Sequence, residues 1–170
     1  IEPGDTTAAL YAIAYDLGTT TVVASLMDLS TGTPMAVASM LNKQQPFGAD
    51  VISRISATML DENALDKLQE LAHATLGELT NEVCVQAGID PEEVFEIAIA
   101  GNATMVQIAL GIDPEPLGVA PFILATGSYP TFLANELGVL LHPRARAYLF
   151  PALGAYVGGD IISGALATGM

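Results

Sequence analysis

Residues 12–28, AIAYDLGTTTVVASLMD, place a short polar turn between two apolar runs, and this stretch does most to limit what the chain can fold into. On the incoming side Ile13 and Tyr15 alternate with the small Ala12 and Ala14; on the outgoing side Val22, Val23, Leu26 and Met27 supply strand-forming bulk. The pattern predicts two strands joined by a tight turn. Gly18 can take backbone conformations closed to other residues, and Thr19, Thr20 and Thr21 bring three hydroxyls beside freed backbone N–H groups. Such a turn can cradle an anion. Asp and Gly also build hairpins for geometry alone, so the turn by itself leaves both readings open.

After a second turn at STGTP, the run MAVASML returns as a third extended segment, which predicts three antiparallel strands over residues 11–41. The period then changes. In ADVISRISATML the apolar residues Val51, Ile52, Ile55 and Met59 fall at helical spacing, and Leu65, Leu68, Leu71, Leu76, Leu79 and Val83 continue it through residues 61–87. Asp61 is expected to cap this long helix and Gly88 to end it. EVFEIAIAGNATMVQIALGI reads as a buried strand running into a short helix capped by Asn102, with Thr104 facing a cleft. Residues 113–143, with five prolines, read as loop with short helices; RAYLFPAL is then a strand and GAYVGGDIISGALATG a turn into a helix. The expected fold class is a mixed α/β domain, three antiparallel strands first, with flanking helices.

The chain has 170 residues with 51% hydrophobic content, enough for one domain with a sizeable core. Nineteen acidic residues against five Lys plus Arg give a formal charge of −14, which repels nucleic-acid backbones and anionic lipid surfaces. Lys43, Arg54, Lys67, Arg144 and Arg146 all lie away from DLGTTT in sequence, so phosphates bound there would be met by backbone N–H groups and a metal ion, which favours magnesium. Cys84 is the single cysteine and is expected in the core; no disulfide framework or iron–sulfur cluster can be built from it within this chain. No apolar run approaches the roughly 18 residues of a membrane span, and no signal peptide is visible, so a cytoplasmic protein is the expectation. The chain opens on Ile1 and its last stretch, SGALATGM, breaks off within a helical pattern, which suggests a fragment of a longer protein.

The motif GxxxxGK[ST] does not occur, nor does GxGxxG between a strand and a helix, which removes the P-loop and dinucleotide patterns. His73 in the long helix and His142 in LLHPRAR have no partners at triad or zinc spacing. Asp50 is expected to cap the helix after FGAD and to pair with Arg54 four residues on, and the HPRAR cluster is read as a solvated loop or a docking spot.

DLGTTT between strands resembles the first phosphate motif of the superfamily that holds acetate and sugar kinases, heat-shock chaperone ATPases and actin. Together with NKQQPFGADVISRI, GNATMVQIALGIDP and GAYVGGDIISGALATG, it makes nearly the whole chain similar to the ATPase domain of the reductive activators of corrinoid proteins. The resemblance implies that residues 1–170 form a single unit, the first, ribonuclease-H-like half of an actin-like ATPase domain. Members of that family use ATP to help return an inactive cobalt(II) corrinoid to cobalt(I), and carry a two-iron, two-sulfur cluster in a separate N-terminal domain. By resemblance, Asp16 and Asp160 are the catalytic and metal-holding residues: Asp16 would hold Mg2+ through water and Asp160 would stand near the metal or the attacking water. Gly18, Thr19, Thr20 and Thr21 would bind the nucleotide phosphates. Gly158 and Gly159 allow a sharp turn ahead of Asp160, which is also placed to cap the last helix, while Gly164, Ala165 and Ala167 would permit close helix contact. The implied cofactors are ATP and Mg2+, and the implied partners are a corrinoid protein or corrinoid methyltransferase system and the other half of the same ATPase domain, without which the isolated chain would be inactive. Two alternatives stand beside this reading: a corrinoid-protein docking module with a vestigial nucleotide turn, and a small-molecule kinase of the same superfamily.

Overall fold

The computed structural model describes residues 10–170. Strands β1 (Tyr11–Leu17), β2 (Thr21–Asp28) and β3 (Thr33–Leu41) form the expected antiparallel meander. Helices α1 (Val51–Leu60) and α2 (Ala64–Ala87) follow, then β4 (Val94–Gly101), α3 (Ala103–Ala109), a single turn α4 (Glu115–Gly118), the two-residue β5 (Phe132–Leu133), β6 (Arg146–Leu149) and α5 (Gly159–Thr168). The six strands make one mixed sheet in the order β3-β2-β1-β4-β6-β5. β1 pairs parallel with β4, and β4 parallel with β6, while the two edges are antiparallel. The expected fold class therefore stands, with the edge strand β5 added inside the proline-rich stretch.

Period-two alternation decides which face is buried. Ile13, Tyr15 and Leu17 of β1, Val22, Ala24 and Leu26 of β2, and Ile97 and Ile99 of β4 all point to one side. α2 covers them with Leu68, Ala72, Leu76, Leu79 and Val83, while Leu65 and Leu71 sit half-buried at the margin. Truncating Leu76 to Ala, which is fully buried, would cost about 2–5 kcal/mol. The polar groups this burial traps are satisfied where β1 meets α2: Tyr15 Oη lies 2.6 Å from Thr80 Oγ1, which itself donates to the Leu76 carbonyl at 2.8 Å. Burial also pushes the Tyr15 hydroxyl well above the usual phenol range. Cys84 is buried in the same core, as expected, and its thiol is likewise pushed up.

Three local expectations change. Asp61 closes α1 in an extended conformation and does not cap α2; its carboxylate accepts from Asn63 N at 2.9 Å in a short turn, so α2 begins at Ala64. Gly88 does end α2, in the left-handed region at φ 68°. Asp50 caps α1 by accepting from Ser53 N at 2.8 Å, but Arg54 does not pair with it; the arginine turns inward and is 1% exposed. Asp160 does not cap α5 either. Gly158 holds the cap position, and Asp160 lies in the first turn.

Candidate functional site

The carboxyl ends of the parallel strands β1, β4 and β6 lie side by side, and the connections from β1 to β2 and from β4 onward diverge to opposite sides of the sheet. Open α/β sheets bind ligands at such a point of divergence. Every residue singled out above for phosphate or metal binding is there. Asp16 is the penultimate residue of β1, and Gly18, Thr19 and Thr20 form the turn into β2, which opens on Thr21. Asn102 directly follows β4, and Gly158, Gly159 and Asp160 open α5.

The turn is fastened from one side. The Gly18 carbonyl accepts from Asn42 Nδ2 at 2.9 Å, the Thr20 carbonyl from Asn42 N at 2.8 Å, and the Thr19 carbonyl from Arg54 Nη2 at 2.5 Å. A trans peptide directs its N–H opposite to its C=O. Tying back three successive carbonyls therefore aims the N–H groups of Thr19, Thr20 and Thr21 away from those anchors. A Cβ on Gly18 would collide with the Thr21 carbonyl oxygen, so only glycine closes this turn so tightly.

Asn42 and Arg54 are residues that spacing alone did not mark, although both lie in the NKQQPFGADVISRI stretch. Asn42 is 1% exposed, and its Oδ1 accepts from Gln44 N at 3.0 Å, so both ends of its amide are used. Arg54 donates from Nη1 to Gln44 Oε1 at 2.8 Å and from Nε to the Gly48 carbonyl at 3.2 Å. The expectation that no cation stands near DLGTTT thus fails in space: α1 carries Arg54 to the turn from 35 residues away in sequence. Lys43, the neighbour of Asn42, instead pairs with Glu78 at 2.5 Å on the surface.

On the opposite face of the sheet, the side chain of Asp16 projects with Ala14 of β1 and Ser25 of β2, away from α2. Its carboxyl is held above the usual carboxylate range, first by desolvation and second by the charge of Asp160. The charge of Asp160, 144 positions further along the chain by numbering, thus reaches Asp16. Glycines bring them together. A Cβ on Gly158 would lie 2.6 Å from Asn102 Cα and 2.7 Å from the Gly101 carbonyl, and one on Gly159 would lie 2.7 Å from Phe150 Cβ. The start of α5 is consequently seated on the ends of β4 and β6 with no side chain between. Asn102 caps α3 as expected, accepting from Met105 N at 3.0 Å, and its Nδ2 donates to Thr19 Oγ1 at 3.1 Å. Thr104 lines a cavity of about 260 Å³ with Asn102, Asp160 and the apolar Ile52, Ile55 and Ile161.

Mg2+ takes oxygen ligands, keeps several waters and needs only one or two carboxylates beside phosphate oxygens. Asp16 and Asp160 fit that demand as two carboxylates, and a divalent cation would favour the charged form of Asp16 against the desolvation, and secondly the Asp160 charge, that hold its carboxyl up. Among the described residues no group of three or more His, Cys, Asp or Glu side chains could hold a metal. Phosphate oxygens would therefore have to complete the coordination.

Several marked residues lie elsewhere. Gly164 has open space around it, Ala167 is exposed and Ala165 is half-buried, so the close helix contact expected of these small residues is not made at Gly164 among the described residues. His73 Nε2 lies 2.8 Å from the Ala109 carbonyl, and the His142 ring packs on Phe95 at 4.3 Å. No helix is long and apolar enough to cross a membrane among the described residues.

Comparison with known proteins agrees with the fold. Residues 11–170 match the family described as the RACo middle region. The corrinoid activation enzyme RamQ of Eubacterium limosum is 36% identical over 151 residues, which is 89% of this chain and 26% of that protein. A solved structure of a reductive activator for corrinoid, iron-sulfur protein superimposes with a TM-score of 0.93 at 36% identity, covering 98% of this chain and 26% of the other. The chain thus spans about a quarter of the length of these relatives. With a match that runs through every described element from β1 to α5, the chain belongs to the RACo middle region family.

Proposed function

We propose that this chain is the first phosphate-binding half of an ATP-dependent reductive activator, which helps return the cobalt of a corrinoid protein to its cobalt(I) state. The relatives named for corrinoid activation supply the reaction class. The observation that carries the nucleotide part is the turn fastened through three carbonyls, at the strand end that carries Asp16. In this reading the N–H groups of Thr19, Thr20 and Thr21 hold phosphate oxygens, with the threonine hydroxyls beside them. Asp16 and Asp160 would hold a hydrated Mg2+, and Asp160 would stand near the metal or the attacking water. When bound, Mg2+ supplies neutralisation of the phosphate charge. Phosphoryl transfer rests on positioning and electrostatics from both sides of the nucleotide, so residues 1–170 form one half of an actin-like cleft and turn over little ATP without the other half. The single buried cysteine leaves the iron–sulfur cluster to another domain.

A docking role is the second reading, favoured by the exposed apolar side chains around the cavity: Ile52 (53%), Tyr156 (67%) and Ile161 (52%) would offer a protein partner an anchor. Titrating the full-length protein with Mg-ATP, with corrinoid reduction followed spectroscopically, separates the two. Saturable binding that speeds cobalt reduction supports the ATPase reading. Corrinoid-protein binding without any Mg-ATP binding leaves only docking, and a phosphorylated small-molecule product would point to a kinase.

A further inference from the structure

Arg54 is a cation sealed under the phosphate turn with only neutral partners. Its guanidinium meets the Gln44 amide oxygen, the Gly48 and Thr19 carbonyls and, at 2.9 Å, the Met105 sulfur. Among the described residues no ion pair includes it. Asp50 is the acid whose field reaches it, but that carboxylate is exposed and accepts from Ser53 N and Ser53 Oγ at the start of α1. Desolvation lowers the Arg54 pKa, yet an arginine in a protein keeps its proton, so the fold bears the cost of a buried charge. Hydrogen bonding alone does not demand a full charge here, because neutral donors also satisfy carbonyl and amide oxygens, whereas an apolar side chain would leave the Gly48 and Thr19 carbonyls and Gln44 Oε1 without this donor.

We propose that Arg54 is a positioning residue and built-in counter-charge for the anion held by the DLGTTT turn. The proposal rests on the phosphate-site reading above. Two effects act through one peptide unit. Arg54 Nη2 draws the Thr19 carbonyl back, which turns the N–H of Thr20 outward, and a cation on that carbonyl polarises the peptide so that the same N–H becomes a stronger donor. The charge itself acts through a dry interior, where it is screened far less than a surface lysine would be. In a chain of formal charge −14, such a cation offsets the repulsion a polyphosphate meets on approach.

The test uses full-length protein and measures binding of inorganic tripolyphosphate, and of ATP with and without Mg2+, by calorimetry beside thermal unfolding. Gln44→Glu puts a carboxylate against the guanidinium while Arg54 and its bond to Thr19 remain, so it removes the net charge; it also gives up the Gln44 Nε2 bond to the Leu68 carbonyl, a loss that thermal unfolding reads separately. Affinity for tripolyphosphate should fall about tenfold or more in the folded protein. Arg54→Met should lose at least as much, and Arg54→Lys should retain more than Arg54→Met because it keeps the charge. Wild-type affinity in folded Gln44→Glu overturns the counter-charge, whether or not Arg54→Met folds. If the unaltered protein binds neither tripolyphosphate nor Mg-ATP, the phosphate-site reading fails and takes this proposal with it; if it binds both and every folded variant binds equally, only the role of Arg54 fails.

Discussion

Asn102 joins two distant parts of the chain: its Nδ2 donates to Thr19 Oγ1 at 3.1 Å across 83 residues, while its Oδ1 caps α3 through Met105 N at 3.0 Å. One side chain thus fixes both the start of a helix and the first threonine of the turn. The two duties separate by mutation. Asn102→Ala should lose the cap, at about 0.5–2 kcal/mol of stability. Asn102→Asp keeps an oxygen for the cap but cannot donate to Thr19, and it adds a negative charge beside Asp16 and Asp160. Its melting temperature should stay near that of the unaltered protein while Mg-ATP affinity falls. Equal affinity in the two proteins would show that the contact to Thr19 does not matter to the ligand.

For Asp16, the expected result of Asp16→Ala in the full-length protein is a fold that persists with ATP turnover lowered about a hundredfold or more. A residue that only shaped the strand end would instead cost about 1 kcal/mol of stability and leave the rate per folded molecule unchanged. Unfolding, ATPase rate and cobalt reduction measured on one preparation distinguish these outcomes.

The raised Asp16 pKa makes a pH prediction with a defined sign. Its carboxyl keeps a proton to higher pH in the fold than in the unfolded chain. Between the two pKa values the native state therefore binds more protons, and stability declines as pH rises through that window above the ordinary Asp value. Asp16→Asn should remove this decline. Asp160→Asn should bring the Asp16 titration down part of the way, because the first cause is desolvation and only the second is Asp160. Carboxyl-carbon NMR titration reads both, and an Asp16 pKa unmoved by Asp160→Asn would show that the two acids do not interact.

What the sequence disclosed, and what it hid, divides along local and non-local lines. The hairpin around DLGTTT was legible because strand period and turn chemistry act over a few residues, and the caps at Asp50, Asn102 and Gly88 were legible for the same reason. Asp61 misled because Asx turns and helix caps use the same side chain and differ only in where the next three residues go. Arg54 was hidden in a different way. An Asp–Arg pair at i, i+4 suits an exposed helix face, and only tertiary packing reveals that this arginine turns inward to a carbonyl of the β1–β2 turn 35 residues earlier. Asn42 was equally silent, since nothing local separates an asparagine that ends a strand from one that anchors a distant turn.

Gly158 offers the sharpest test of how the two acids are brought together. Its φ of −84° and ψ of −176° are open to any residue, so Gly158→Ala adds no backbone strain and probes close approach alone. The added Cβ would meet Asn102 Cα at 2.6 Å, the Gly101 carbonyl at 2.7 Å and Ala103 N at 2.8 Å. All three are main-chain atoms at the end of β4 and the start of α3, so no flexible side chain can yield. The start of α5 must lift from the sheet, which should cost about 1–3 kcal/mol as overpacking does. Asp160 rides on that first turn, so lifting it should weaken the repulsion felt by Asp16 and lower the Asp16 pKa, while the DLGTTT turn, anchored by Asn42 and Arg54 from the other side, keeps its place. Magnesium-dependent ATP binding should then weaken more than binding of metal-free tripolyphosphate. If the variant melts earlier but leaves the Asp16 titration and the magnesium dependence unchanged, the close seating of α5 serves stability alone and the pairing of Asp16 with Asp160 has no part in the site.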